Sequence, residues 1–160
     1  MDKENILMRI QDCGIVAVVR AESADKAERI VDACMEGGVA AIELTFSVPH
    51  AYRVIETLSY KYDPKDIILG AGTVMDAATA RIAMLSGAQY IVSPYLDLET
   101  LKMCNRYRVP MMPGVMSVRE AVTAMENGAD ILKIFPGDLF GPKIIKDILG
   151  PIPYAKMMPT

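Results

Sequence analysis

A lysine lies inside an apolar run that otherwise has the composition of a buried strand. Lys133 follows Ile131 and Leu132 and precedes Ile134 and Phe135. Lysine side chains are almost never fully buried unless they are paired or have a function. An ammonium removed from water loses its preference for the charged form, and the neutral amine can form a Schiff base with a ketone. The alternative is a lysine whose stem follows the strand while its ammonium reaches water.

A carboxylate occupies a similar position in a second apolar run. Glu43 lies between Ile42 and Leu44 and is the only acid of the chain in such a setting. Schiff-base chemistry on a keto acid needs a group that moves protons, and a carboxylate whose pKa is raised by desolvation suits that role. Alternatively, Glu43 forms a buried ion pair with Lys133 or Arg20 that only satisfies the interior. Because perturbed ionisable pairs cluster at functional sites, we favour the acid/base role.

Short β-branched runs alternate with amphipathic segments along the whole chain, which indicates repeated β/α units. The predicted strands are Ile15–Arg20, Ala41–Thr45, Ile67–Ala71, Tyr90–Ser93, Val109–Met112 and Ile131–Phe135. The predicted helices lie near 24–36, 49–60, 76–86, 97–107, 118–127 and 142–149. Their predicted N-caps are Ser23, Asp76, Asp97 and Ser117, the last with Glu120 in a capping box. Glycines precede the strands in GGVAAIEL, SGAQYIVS and NGADILKI.

Two architectures accommodate such a pattern, an open doubly wound sheet and a (β/α)₈ TIM barrel. Polar residues recur at the carboxyl ends of the predicted strands, where barrel active sites are assembled. They are Arg20, Glu43, Thr45, Thr73, Ser93 and Lys133. One polar group from each of several strands favours the barrel.

Composition excludes several classes of function. The chain of 160 residues is 52% hydrophobic and 23% charged, which predicts one ordered globular domain over residues 1–160. A net charge of −3 without a basic block argues against a nucleic acid or membrane partner. Three widely spaced cysteines and one histidine argue against a metal site, and no cofactor is implied. Unpaired cysteines and the absence of a signal-peptide pattern favour the cytoplasm.

The segments GGVAAIELTF, GAGTV, YIVSP, VPMMPGVMS and ILKIFPG together resemble the 2-keto-3-deoxy-6-phosphogluconate (KDPG) and 4-hydroxy-2-oxoglutarate (KHG) aldolase family, from about Ile15 to Thr160. The resemblance implies a class I aldolase, a lyase on a (β/α)₈ barrel, usually a homotrimer, that needs no metal. Lys133 then matches the Schiff-base lysine and Glu43 the acid/base carboxylate.

The same resemblance implies that Thr73 and Pro94 line the pyruvate end and that Phe135 packs beside the lysine. Thr45 and Gly72 belong to the same predicted substrate site. From its position alone, Thr73 fits a cap of the following helix as well as a substrate contact. Gly70 and Gly72 allow either the close approach of a ligand to the backbone or a tight turn.

Two departures from the family pattern matter. Ser47 stands where some members carry an arginine that holds the substrate carboxylate, and Arg20 on the neighbouring strand is the natural substitute, since a guanidinium grips a carboxylate with two hydrogen bonds. Family members also continue past Thr160 with a seventh strand, an eighth unit and phosphate-binding loops. We expect the sequence to cover about six and a half β/α units of a chain of about 200 residues or more. The alternative is an inactive barrel fragment.

The expected reaction is reversible cleavage of KDPG to pyruvate and glyceraldehyde 3-phosphate. Lys133 is the expected nucleophile, Glu43 the acid/base, and Arg20 and Thr73 the groups that hold the pyruvate carboxylate. KHG and 2-keto-3-deoxy-6-phosphogalactonate are alternative substrates that the sequence does not separate.

Overall fold

The computed structural model describes residues 2–160, so that Met1, the first residue of the predicted domain, lies outside the described part. The strands are β1 (Ala17–Val19), β2 (Ala41–Thr45), β3 (Ile68–Gly72), β4 (Tyr90–Val92), β5 (Met111–Met112), β6 (Gly114–Val115), β7 (Leu132–Ile134) and β8 (Met157–Pro159). The helices are α1 (Lys3–Cys13), α2 (Ala24–Glu36), α3 (Ala51–Lys61), α4 (Ala77–Leu85), α5 (Leu98–Arg106), α6 (Val118–Glu126), α7 (Gly137–Phe140) and α8 (Lys143–Leu149).

All strand pairs are parallel, which confirms the predicted β/α architecture. The first sheet has the order β1-β2-β3-β4-β5 and the second the order β6-β7-β8. Pro113 separates β5 from β6, and its carbonyl accepts a hydrogen bond of 3.0 Å from the Lys133 amide, so the two sheets meet at this segment. Within residues 2–160 no ladder joins β1 to β8, and the barrel is open between these two strands.

The last strand corrects one expectation. The sequence predicts the seventh barrel strand beyond Thr160, but β8 pairs with β7 in parallel, with Leu132 opposite Met157 and Ile134 opposite Pro159. The Thr160 amide also donates to the Ile134 carbonyl at 3.1 Å. A run of two methionines and a proline lacks the β-branched signature of a strand. Proline is tolerated here because it ends a strand at the edge of the sheet.

The helix caps follow the prediction. The side chains of Ser23, Asp76, Asp97 and Ser117 each accept a hydrogen bond from the backbone amide three residues further on. Glu120 departs from the predicted capping box: its carboxylate accepts from the Met116 amide and the Ser117 hydroxyl, each at 2.9 Å, rather than from the Ser117 amide. These caps satisfy amides at the helix starts that have no partner inside the helix.

The core has two layers, separated by the sheet. Alternate strand residues such as Ile42 and Leu44 face outward and pack against the helices. Ala41, Ile68 and Ile131 belong to the inner layer. The helix α1, which the sequence analysis does not predict, closes this inner layer at the amino ends of the strands with its buried residues Ile6, Leu7 and Ile10.

None of the helices formed by residues 2–160 combines the length and the apolar character needed to cross a membrane.

Candidate active site

The strands β2 and β7 bring Glu43 and Lys133 together inside the barrel, although 90 residues separate them in sequence. Lys133 Nζ lies 3.5 Å from Glu43 Oε1, at the outer limit of a hydrogen bond. Only 5% of Lys133 and 1% of Glu43 is exposed. The alternative of a lysine that reaches water is therefore wrong. A distance of 3.5 Å between the buried amine and carboxylate fits both a structural ion pair and an acid/base role of Glu43.

The environment of Glu43 raises the pKa of its carboxyl above the ordinary value. Burial is the largest cause, and the positive charges of Lys133 and Arg20 oppose it. Its second oxygen, Oε2, is buried and makes no hydrogen bond within residues 2–160. A carboxyl that is desolvated and only half satisfied can exchange a proton with a ligand more readily than one held by several donors.

Two glycines make room for this carboxylate and for the loop beside it. A Cβ at Gly72 would collide with the Glu43 carboxylate, and a Cβ at Gly114 would collide with the Pro94 carbonyl. Neither glycine has a positive φ. Gly72 therefore makes no tight turn, and the space at this position is taken by Glu43 rather than left to a ligand.

Arg20 lies one residue past β1 and is exposed, and its charge acts on Glu43 from the carboxyl end of the barrel. Thr45 is fully buried at the end of β2. Its hydroxyl donates to the Val19 carbonyl at 3.1 Å and lies 2.8 Å from the Ser47 hydroxyl. These contacts tie β2 to β1, so Thr45 already has protein partners at the place where the sequence predicts a substrate contact.

Thr73 follows β3 directly and is half-buried, with a φ of 56°. This left-handed conformation is unusual for a β-branched residue, and such strain concentrates at functional sites. The alternative role of Thr73 as a helix cap is wrong, because Asp76 caps α4.

Pro94 and Phe135 lie at the same end of the barrel. Pro94 follows β4, is half-buried and contacts the strand position of Gly114. The Phe135 ring is 37% exposed, and its centroid lies 5.4 Å from Lys133 Nζ. This distance falls within the range of a cation–π contact, so the ring covers the amine on one side.

A cleft of about 440 Å³ runs along the open edge of the barrel between β1 and β8. Val18 and Met158 line its walls, Gln11 and Lys156 its polar side, and Glu43 its inner end. Among residues 2–160, no group of three or more histidine, cysteine, aspartate or glutamate side chains could hold a metal ion.

Sequence reasoning misses one buried polar group in this interior. Tyr90 is fully buried, and its hydroxyl has no hydrogen-bond partner within the described residues. Strand alternation places Tyr90 on the same face as Val92, and its register partner is Gly70. A tyrosine opposite a glycine is a signal in the sequence, but it becomes visible only once the register is known.

A buried lysine beside a carboxylate, on parallel strands surrounded by helices, is the arrangement expected of an active site in a β/α-barrel enzyme. Residues 6–160 match the family model described as KDPG and KHG aldolase, and the chain belongs to this family, whose named members are lyases.

Relatives and solved structures agree with this assignment. A 2-dehydro-3-deoxy-phosphogluconate aldolase of Haemophilus influenzae is 31% identical over 98% of this chain and 74% of its own length. A 2-dehydro-3-deoxy-6-phosphogalactonate aldolase of Escherichia coli is 33% identical over 87% of this chain and 67% of its own. The KDPG aldolase of Legionella pneumophila, solved with pyruvate as a covalent carbinolamine intermediate, superposes with a TM-score of 0.84 at 29% identity, over 91% of this chain and 70% of the other.

Proposed function

We propose that the protein is a class I aldolase that reversibly cleaves KDPG to pyruvate and glyceraldehyde 3-phosphate. The observation that carries the proposal is the buried pair of Lys133 and Glu43, whose Nζ and Oε1 atoms lie 3.5 Å apart. An amine and a carboxyl at this distance supply both a nucleophile and a group that moves protons. The covalent carbinolamine that pyruvate forms in the Legionella relative supports the same chemistry here.

In the cleavage direction the Lys133 amine adds to the C2 ketone of the substrate, and loss of water gives an iminium ion. The iminium accepts the electron pair of the C3–C4 bond, so that bond breaks as the C4 hydroxyl loses its proton. Glu43 takes this proton, directly or through a water. Glu43 then returns a proton to the enamine carbon, and hydrolysis of the iminium releases pyruvate and the free amine.

The other predicted residues hold the substrate in this proposal. Arg20 and Thr73 bind the pyruvate carboxylate, since they follow β1 and β3, the strands on either side of β2, at the carboxyl end of the barrel. Pro94, Phe135, Thr45 and Gly72 border the same end, with Gly72 acting by the room that it leaves for Glu43. No metal takes part in these steps.

The substrate is tested by kinetics on matched compounds. We expect turnover of KDPG to exceed turnover of KHG and of 2-keto-3-deoxy-6-phosphogalactonate, each measured by coupled reduction of the pyruvate formed. The relative named for the galactonate compound makes that substrate the second candidate. A preference for KHG or for the galactonate compound would reassign the substrate and keep the aldolase chemistry. Turnover of none of the three by folded protein would overturn the proposal.

A barrel without activity is the competing proposal. Circular dichroism and light scattering of the 160-residue chain distinguish the two: a cooperative melt with a defined oligomer supports the enzyme, and a molten or aggregated state supports the inactive barrel.

Assembly and compartment complete the proposal. The family resemblance supports a homotrimer, which light scattering measures as three times the chain mass. Cys13, Cys34 and Cys104 are free, in keeping with a reducing cytoplasm.

A further inference from the structure

Tyr90 places an unpartnered hydroxyl in the interior of the barrel. The residue is fully buried between α1 and the inner face of the sheet. A buried hydroxyl without a hydrogen bond is destabilising, and such groups call for a physical explanation. The only other buried side-chain atom in residues 2–160 without a partner is Oε2 of Glu43.

The inner face of β3 brings these two groups towards each other. Gly70 pairs with Glu43 of β2 on one side and with Tyr90 of β4 on the other. A Cβ at Gly70 would collide with the Tyr90 ring at its hydroxyl-bearing end, and a Cβ at Gly72 would collide with the Glu43 carboxylate. The phenol and the carboxylate therefore lie over positions two residues apart on the same face of one strand.

The Cα atoms of positions two residues apart on a strand are separated by about 7 Å. Neither side-chain oxygen has a direct hydrogen-bond partner within residues 2–160, and one water can bridge two oxygens that lie up to about 5.6 Å apart. Tyr90 is the donor of the pair. Burial, with smaller contributions from Glu43 and Cys13, raises the pKa of the Tyr90 phenol well above its ordinary value, so the phenol stays protonated. Oε2 of Glu43 is an acceptor without a donor.

We propose that Tyr90 is a positioning residue that holds the Glu43 carboxylate through one bridging water, to which the phenol donates and which donates in turn to Oε2. The bridging water orients the Glu43 carboxylate and stabilises its charged form through a hydrogen bond to Oε2. The positive charges of Lys133 and Arg20 also stabilise the charged form. Cys13 is the further titratable group that faces Tyr90. The catalytic consequence rests on the proposed aldolase function, but the bridge itself does not.

The test is titration of Glu43 by carbon-13 NMR of protein labelled at the glutamate carboxyls, with Glu43→Gln to assign the signal. In Tyr90→Phe the ring still fills the space over Gly70, and only the hydroxyl is lost. We expect the pKa of Glu43 to rise by about one pH unit, since a hydrogen bond to a charged group is removed. The acidic limb of the kcat profile should move by the same amount, while KM stays unchanged.

Tyr62→Phe is the matched control. Its hydroxyl lies 2.6 Å from Asp32 outside the barrel interior, so its loss should leave the Glu43 titration unchanged. An unchanged Glu43 titration in folded Tyr90→Phe, or the same change in both variants, would overturn the inference. Thermal melting verifies that both variants fold.

The NMR titration does not depend on turnover. A wild-type protein that cleaves none of the substrates refutes the proposed function and leaves the bridge to be decided by the titration. An active wild type with an unchanged titration in Tyr90→Phe refutes the bridge alone.

Discussion

The same strands build two different interiors. At their amino ends, Ala41 and Ile131 pack with Ile10 of α1 in an apolar plug. Two residues further along the chain in each case, Glu43 of β2 and Lys133 of β7 form a buried charged pair. The polar end gains little in stability, because the cost of removing two charges from water offsets much of their attraction. Along each strand, therefore, residues at the amino end stabilise the fold and residues nearer the carboxyl end form the active site, as expected for barrel enzymes.

The separation predicts its largest effect at Lys133. Lys133→Met removes the nucleophile and keeps an unbranched side chain of similar volume, so turnover should fall by at least about a thousandfold. The fold should persist, although the melting temperature should fall at pH values where Glu43 is charged, because a buried carboxylate without its partner is destabilising. Coupled assay and thermal melting measure the two quantities, and Lys156→Met, which removes an exposed lysine from the cleft between β1 and β8, serves as a control. Turnover that survives in Lys133→Met would contradict the assignment of the nucleophile.

At the apolar end the effects should reverse. Ile10→Ala leaves a cavity in the plug and should lower the free energy of unfolding by about 3 kcal/mol, with kcat unchanged at a temperature where the variant is folded. Ile82→Ala, at a site that is 48% exposed, should change the free energy by less than about 0.5 kcal/mol. Urea denaturation measures both. A stable Ile10→Ala variant with impaired turnover would show that the two ends are not separate.

Substitutions of Gly72 and Gly114 test whether residues near the carboxyl ends affect activity without affecting stability. In Gly72→Ala the new Cβ displaces a flexible side chain, Glu43, so the fold should persist while kcat falls between about tenfold and a hundredfold. In Gly114→Ala the obstacle is the backbone of Pro94, so stability should fall instead. Assays and melts of the two variants give opposite patterns if this view is correct. Full activity in Gly72→Ala would mean that the position of Glu43 matters little.

The smallest effect concerns pH. Because the pKa of Glu43 is raised in the folded protein, the native state holds this proton more tightly than the unfolded chain does. The stability gained from it is fully present below the ordinary value of 4.5 and is lost as pH rises through the raised pKa. Wild type should therefore lose about 1.4 kcal/mol per pH unit relative to Glu43→Gln within that window.

Urea denaturation of both proteins from pH 4 upward measures this difference. Glu56→Gln, which removes an exposed carboxylate from α3, serves as the control and should follow wild type. Parallel pH profiles for wild type and Glu43→Gln would contradict a raised pKa at Glu43.

Many of the strands and helix caps follow from local sequence rules. The strand Ala41–Thr45 has the predicted bounds, and the four predicted caps form because short polar side chains before amphipathic runs satisfy helix amides. The approach of Glu43 to Lys133 also follows, since both occupy inward positions of strands in one barrel.

What the sequence does not reveal depends on tertiary packing. The sequence of α1 shows an amphipathic segment but not that this helix closes the amino end of the barrel. The residues of β8 have the composition of a loop. The roles of Gly72 and Tyr90 depend on strand register, which places the Glu43 carboxylate over Gly72 and the Tyr90 phenol over Gly70. Register is a property of pairing between strands, and no local pattern of this sequence specifies it.

Borohydride reduction in the presence of pyruvate, followed by peptide mass spectrometry, tests the Schiff-base chemistry most directly. We expect a pyruvyl adduct on the peptide that contains Lys133, none on the peptide that contains Lys156, and none in Lys133→Met. A folded wild-type protein that forms no adduct, or forms it at another lysine, would contradict the assignment of Lys133 as the nucleophile of an aldolase.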